Sequence, residues 1–196
     1  MNRKNVSAVS RRTALRAIGG GLVLATAVGP ASARSNQLAR ELNGVRAATR
    51  RYRDVSVARA DGYGAVVSPY VPAMGFHLIN PGLLAADADE EIDVTEPPIL
   101  VYYTTGNYDP GPGGVHDPAR DDDLRLGAVE YGHLGDDGPP GTPANYFSDE
   151  NASHNLEVSE EEGWEWTPGP NITALHVWIH RGNPAGVFHP TNPTID

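Results

Sequence analysis

The chain is predicted to be α+β: an N-terminal amphipathic helix packed on a mostly antiparallel sheet or partly closed barrel, with long Gly/Pro-rich loops. Three observations predict this. An apolar stripe of helical period runs near the start of the chain. Short segments rich in Val, Ile, Leu and Tyr follow it. The 22 glycines and 17 prolines divide those segments from one another.

The first element read along the chain is a leader at residues 1–33. Residues 10–16, "SRRTALR", precede the uncharged run "AIGGGLVLATAV" and then "GPASA", which ends at Ala33. A basic start, a short apolar run and a small-residue end describe an export signal, and the paired Arg11 and Arg12 point to the twin-arginine route. The apolar run is well short of the roughly 20 residues a bilayer span needs. Cleavage after Ala33 is therefore expected over a retained anchor, with an extracellular or cell-surface destination and no membrane span left. Five of the 15 basic residues lie in this leader and no acid does. The remainder carries 10 arginines against 25 acids, a net of −15. That balance speaks against nucleic acid, whose phosphates need clustered cations. Few lysines and many carboxylates match a halophile-like composition, with most acids on the solvated surface. With no cysteine, disulfides and thiolate metal sites are excluded.

Residues 34–196 are expected to form one domain, a basic helix at 34–59 and an acidic β-rich body at 60–196. Leu38, Leu42, Val45, Thr49, Tyr52 and Val55 recur at spacings of three and four, which makes one helical stripe from Gln37 to about Ala58. Asn36 is the expected N-cap. Seven arginines lie on or beside this helix, so it either packs against the acidic body or presents a surface to a partner or membrane. Strands are predicted at 64–71, 76–79, 99–105, 124–134 and 174–180. The intervals 106–123 and 135–146 are too polar and too rich in Gly and Pro for regular structure.

Alternation along the strands sorts the candidate residues. In "ALHVWIH", Leu175, Val177 and Ile179 share one face, and His176, Trp178 and His180 the other. In "LRLGAVEYGH", Leu126, Ala128 and Glu130 share one face, and Val129, Tyr131 and His133 the other. Glu130 is a lone carboxylate inside an apolar strand, where a charge is unfavourable unless paired, metal-bound or wet. His77 similarly interrupts "MGFHLIN". Two imidazoles and a carboxylate suit a divalent metal, Zn(II), Fe(II), Mn(II) or Cu(II). Without a metal the trio suits acid–base chemistry or a buried hydrogen-bonded network.

Four segments carry a resemblance. "ARADGY" (58–63), "MGFHLINPGLL" (74–84), "LRLGAVEYGHL" (124–134) and "LHVWIHRGNPAGVFHPTNP" (175–193) resemble a widespread group of small exported proteins of uncharacterised function. That group carries MG-x-H-Y-x-NP-x-L, VEY and HVW-L-W-x-x-NP-x-G-x-F-x-x-x-NP segments, and the match spans most of residues 45–194. The resemblance maps onto His77, Asn80, Pro81, Glu130, Tyr131, His176, Trp178, Asn183, Pro184, Gly186, Phe188, Asn192 and Pro193. The chain departs from the group in having His180 where an aromatic is usual, Leu78 for tyrosine, an unasked-for His189 and no C-terminal cysteine. The resemblance implies a site of His77, Glu130 and His176, leaves His180 and His189 as bystanders, and implies no reaction.

The remaining motifs are read structurally. Asn183-Pro184 and Gly186 suit turns, and Phe188 is expected to plug the core. The acid runs 87–91 and 121–123 lack the spacing of a calcium loop. Trp164 and Trp166 read as loop anchors, with an exposed ligand platform as the alternative. The expected function is an exported protein that binds a divalent metal through His77, Glu130 and His176. The alternative is a non-catalytic extracytoplasmic binding or structural module. A small-molecule ligand and the enzyme question stay open at this level.

Overall fold

A computed structural model describes residues 30–85, 92–105, 108–110, 112–134, 146–148, 164–167 and 171–195. Most of the expected leader and the 87–91 acid run lie outside these residues. No helix among them is long and apolar enough to cross a membrane.

The N-terminal helical region is two helices and not one. Helix α1 spans Pro30–Thr49, a 3₁₀ turn covers Arg50–Arg53, and α2 spans Val55–Ala60. The break falls at Asp54, whose extended backbone and side-chain bond to the Ser56 amide start α2 afresh. Asn36 lies inside α1, so it is not the cap. The expected stripe survives the break: Val45, Thr49, Tyr52 and Val55 are buried, and Leu38 and Leu42 pack beside them.

The body is a six-stranded antiparallel sheet that does not close into a barrel. Its strands are β1 (Val66–Val67), β2 (Phe76–Ile79), β3 (Ile99–Thr104), β4 (Leu124–Leu134), β5 (Trp164–Thr167) and β6 (Ile172–Val177), in the order β1-β2-β3-β4-β6-β5. The fold is α+β. Strand β1 is much shorter than 64–71, because Pro69 has no amide for a ladder and the chain turns back through the Val71–Gly75 bridge. Strand β5 arises where loop anchors were expected, paired to β6 from Trp164 opposite Leu175 to Thr167 opposite Ile172. Within the interval 106–123, Pro118–Asp123 forms a 3₁₀ helix capped by Asp117. Its Asp121 forms a two-pronged ion pair with Arg59 at 2.5 and 2.8 Å, and Asp123 pairs with Arg120. Asp121 thus ties this 3₁₀ helix to α2, and Asp123 pairs within it.

One sheet face carries the main core against α1 and α2: Phe76, Leu78, Leu100, Tyr102, Val129, Tyr131, Leu175 and Val177. A bulge in β4 decides the faces. Val101 pairs with Ala128 and Tyr102 with Leu126, so Gly127 is the extra residue. The alternation restarts there. Leu126 joins Val129 in the core, contrary to strict alternation, while Ala128 faces the other side with Val101, Trp178 and Ile195. The Gly127 carbonyl accepts from the amides of both His180 and Arg181, which ends β6 at Val177. His180 is thus outside the strand.

The three Asn-Pro pairs have one structural role. The side-chain oxygens of Asn80, Asn183 and Asn192 each accept the amide two residues on, from Gly82, Ala185 and Thr194. Gly186 has φ +135° in the second turn, and Phe188 is 4% exposed in the core, as expected.

Candidate metal centre

The second sheet face brings together the three residues that the sequence singled out. Glu130 of β4 lies directly opposite His176 of β6 and, on its other side, opposite Ile99 of β3. His77 of β2 reaches over β3 from two strands away. The Nε2 atoms of His77 and His176 are 3.4 Å apart. One Glu130 oxygen, Oε2, lies 3.5 Å from His77 Nε2, and Oε1 lies 3.7 Å from His176 Nε2. The side chains are 12%, 7% and 3% exposed for His77, Glu130 and His176, so the group is almost dry. It is the group of His and acid side chains among the described residues whose atoms converge closely enough to hold a metal ion.

Ser68 fixes the tautomer of His77. Its hydroxyl donates to the Pro69 carbonyl at 2.8 Å and accepts the His77 amide at 2.9 Å. The contact of 3.0 Å to His77 Nδ1 is therefore an Nδ1–H donation, which leaves a lone pair on Nε2 facing the group. The His176 ring is stacked on Trp178, with centroids 6.2 Å apart and planes 12° apart. Trp178 is itself anchored by donating to the His189 carbonyl at 2.7 Å. His176 Nδ1 is buried and without a hydrogen-bond partner among the described residues.

Burial makes both imidazoles poor bases. It pushes His77 down to about 4. It holds His176 well below the usual histidine range, with the neighbouring His77 and His189 adding to the effect. Both rings are neutral at ordinary pH, the form that coordinates metals.

A cavity of about 460 Å³ opens against the trio. Its surface includes Ile79, Ile99, Ile172 and Ala174 from the sheet, Val66 from its edge strand β1 and Met74 from the turn after it. Neither Ser68 nor this cavity was apparent from the sequence. Ser68 meets His77 through the β1–β2 register, in which the Ser68 amide bonds the His77 carbonyl.

No family model, curated protein or solved structure matches the chain.

The other described histidines have different tasks. His180 Nε2 bonds the Thr49 hydroxyl at 2.9 Å, and Thr49 in turn donates to the Val45 carbonyl. Arg46 donates to the Ile179 carbonyl at 2.6 Å beside it. His180 therefore docks α1 on the segment after β6, away from the trio. His189 is held by its own turn, through Thr191. Buried His116 links the Tyr108 hydroxyl at 2.6 Å to Asp121 at 2.7 Å, within the Arg59 ion pair. His133 stacks on Tyr146 and bonds its hydroxyl at 2.8 Å.

Proposed function

We propose that the protein binds one divalent metal ion through Nε2 of His77, Nε2 of His176 and the carboxylate of Glu130. The observation that carries this reading is the convergence of three donor groups at 3.4–3.7 Å in a nearly dry setting. Separations of that size are too long for good hydrogen bonds. They match the edges of a tetrahedron whose ligand bonds are about 2.1 Å, which are about 3.4 Å long. Ser68 supports the reading by orienting one imidazole, as carboxylates and carbonyls do around known metal histidines.

Three protein ligands leave a coordination position free, and the cavity lies beside them. Closed four-ligand sites are structural, whereas sites with an open position polarise a bound group or activate water. The arrangement therefore favours a reactive or ligand-binding centre over a structural staple. Such an ion would supply Lewis acidity. The chain's own residues hold the two imidazoles neutral, keep water scarce and present the free position to the cavity. Export by the twin-arginine route, which carries folded proteins, accords with a centre loaded before export. The resemblance to small exported proteins adds to that reading.

The test is zinc, iron, manganese and copper content of purified protein, followed by zinc titration of the chelator-treated form. One equivalent bound tightly, and lost in both His77→Ala and His176→Ala, is the expected result. A folded protein that takes up no metal would leave His77 and His176 as a hydrogen-bonded pair, in a non-catalytic binding or structural module.

A further inference from the structure

The cavity beside the trio has a composition that selects its occupant. Among the described residues, its lining apart from Ser68 and the three ligands is apolar, with no lysine or arginine. Ile79, Ile99 and Ile172 with Ala174 make an aliphatic surface, and Val66 and Met74 extend it. Its volume of about 460 Å³ falls within the roughly 300–1,000 Å³ of small-molecule sites. One end is therefore charged and the rest is oil-like.

Charge decides the head group. Two neutral imidazoles, one carboxylate and a divalent ion sum to a single positive charge at that end. A buried net charge is unfavourable unless it is neutralised. A monoanionic head neutralises it, whereas a dianion overshoots, and among the described residues no cationic side chain lines the cavity to correct that. We infer that this cavity is the binding site for a small amphiphile of one kind, a monocarboxylate with an aliphatic or arylalkyl body. The carboxylate takes the open metal position and the body lies on Ile79, Ile99, Ile172 and Ala174. This assignment rests on the metal reading for its head and on the cavity lining alone for its body.

The two parts separate in one experiment. Zinc-loaded and chelator-treated full-length protein are titrated calorimetrically with octanoate, acetate and the neutral octanol, and zinc content is measured in the same samples. Octanoate binds the zinc form at least tenfold more tightly than acetate does, and at least tenfold more tightly than it binds the zinc-free form. Octanol binds both forms comparably. Ala174→Leu, which fills the cavity, and Val66→Asp, which places a like charge on its wall, each keep one zinc and lower octanoate affinity at least tenfold. Zinc bound with equal affinity for octanoate and acetate overturns the inference and leaves the metal reading standing. Failure to hold zinc at all overturns the metal reading and the head-group assignment with it. Octanol binding abolished by Val66→Asp or Ala174→Leu still upholds the body in that case, and octanol failing to bind overturns it.

Discussion

His77, Glu130 and His176 converge because the strand registers aim their donor atoms at one another, 3.4–3.7 Å apart. His77 has its Nδ1 proton committed to Ser68, so only Nε2 is available toward Glu130. Ser68→Ala removes that commitment while leaving all three ligands in place. Zinc affinity is expected to fall about 10–100-fold, the usual loss for a residue that orients a metal histidine. Competition with a chelating dye measures it, and an unchanged affinity would remove Ser68 from the site. Burial also makes the histidines proton-sensitive. His77 and His180 are held at about 4, the latter by burial first and then by Arg53 and Arg46. In the unfolded chain histidine titrates near about 6.5. As pH falls from about 6.5 to about 4, the unfolded chain binds protons that the folded chain refuses, so stability present at neutral pH is progressively lost. Thermal melts of the zinc-free protein at neutral and mildly acid pH are expected to show this fall. His180→Gln, remote from the trio, should reduce the drop without altering zinc content.

Strand β4 shows how a single residue directs two faces. Gly127 is the bulged position, and a Cβ there would stand 3.0 Å from the Tyr103 ring and 3.2 Å from the Trp178 ring. Both rings would have to shift, and Trp178 is the platform on which His176 stacks. Gly127→Ala is expected to lower stability by about 1–3 kcal/mol, as overpacking does, and to weaken zinc binding as well. Urea denaturation reads the first effect and metal titration the second; a loss of stability with zinc affinity intact would uncouple the bulge from the site. The bulge also marks a limit of pattern reading. Period-two alternation placed Leu126 with Ala128 and Glu130, and it failed for Leu126 because an extra residue resets the faces. Glu130 and His176 were placed correctly because they lie beyond the bulge, in regular pairing with each other. The helix stripe was legible for the same reason that its break was not. Burial of Tyr52 and Val55 follows from spacing, whereas Asp54 was one more polar residue until its capping bond to Ser56 was seen.

Across the molecule, the charge imbalance and the docking of α1 are separate matters. The helix meets the body through Arg46 on a carbonyl and Thr49 on His180, and α2 adds the Arg59–Asp121 pair. Basic residues such as Arg40, Arg50 and Arg53 remain exposed. The acidic body was expected to hold the helix broadly, yet among the described residues of α2 it does so at the particular pair with Asp121. The excess of carboxylates beyond residue 33 instead predicts self-repulsion, which salt screens: the Debye length shrinks from about 10 Å at about 0.1 M to about 3 Å at about 1 M. Melting temperature is expected to rise between those two sodium chloride concentrations. A flat or falling response would set aside the halophile-like reading.

Residue chemistry, helical and strand periods, the Asn-Pro turns and the three candidate site residues are properties of short segments, and neighbouring residues suffice to specify them. Their meeting is of another kind. His77 and His176 stand 99 positions apart, and their nitrogens come within 3.4 Å only through the order β2-β3-β4-β6 and the registers between those strands. The tautomer of His77, the stack under His176 and the apolar cavity depend on the same registers. Pairing between distant strands is settled by the burial of the whole core, a cooperative property that no window of sequence contains.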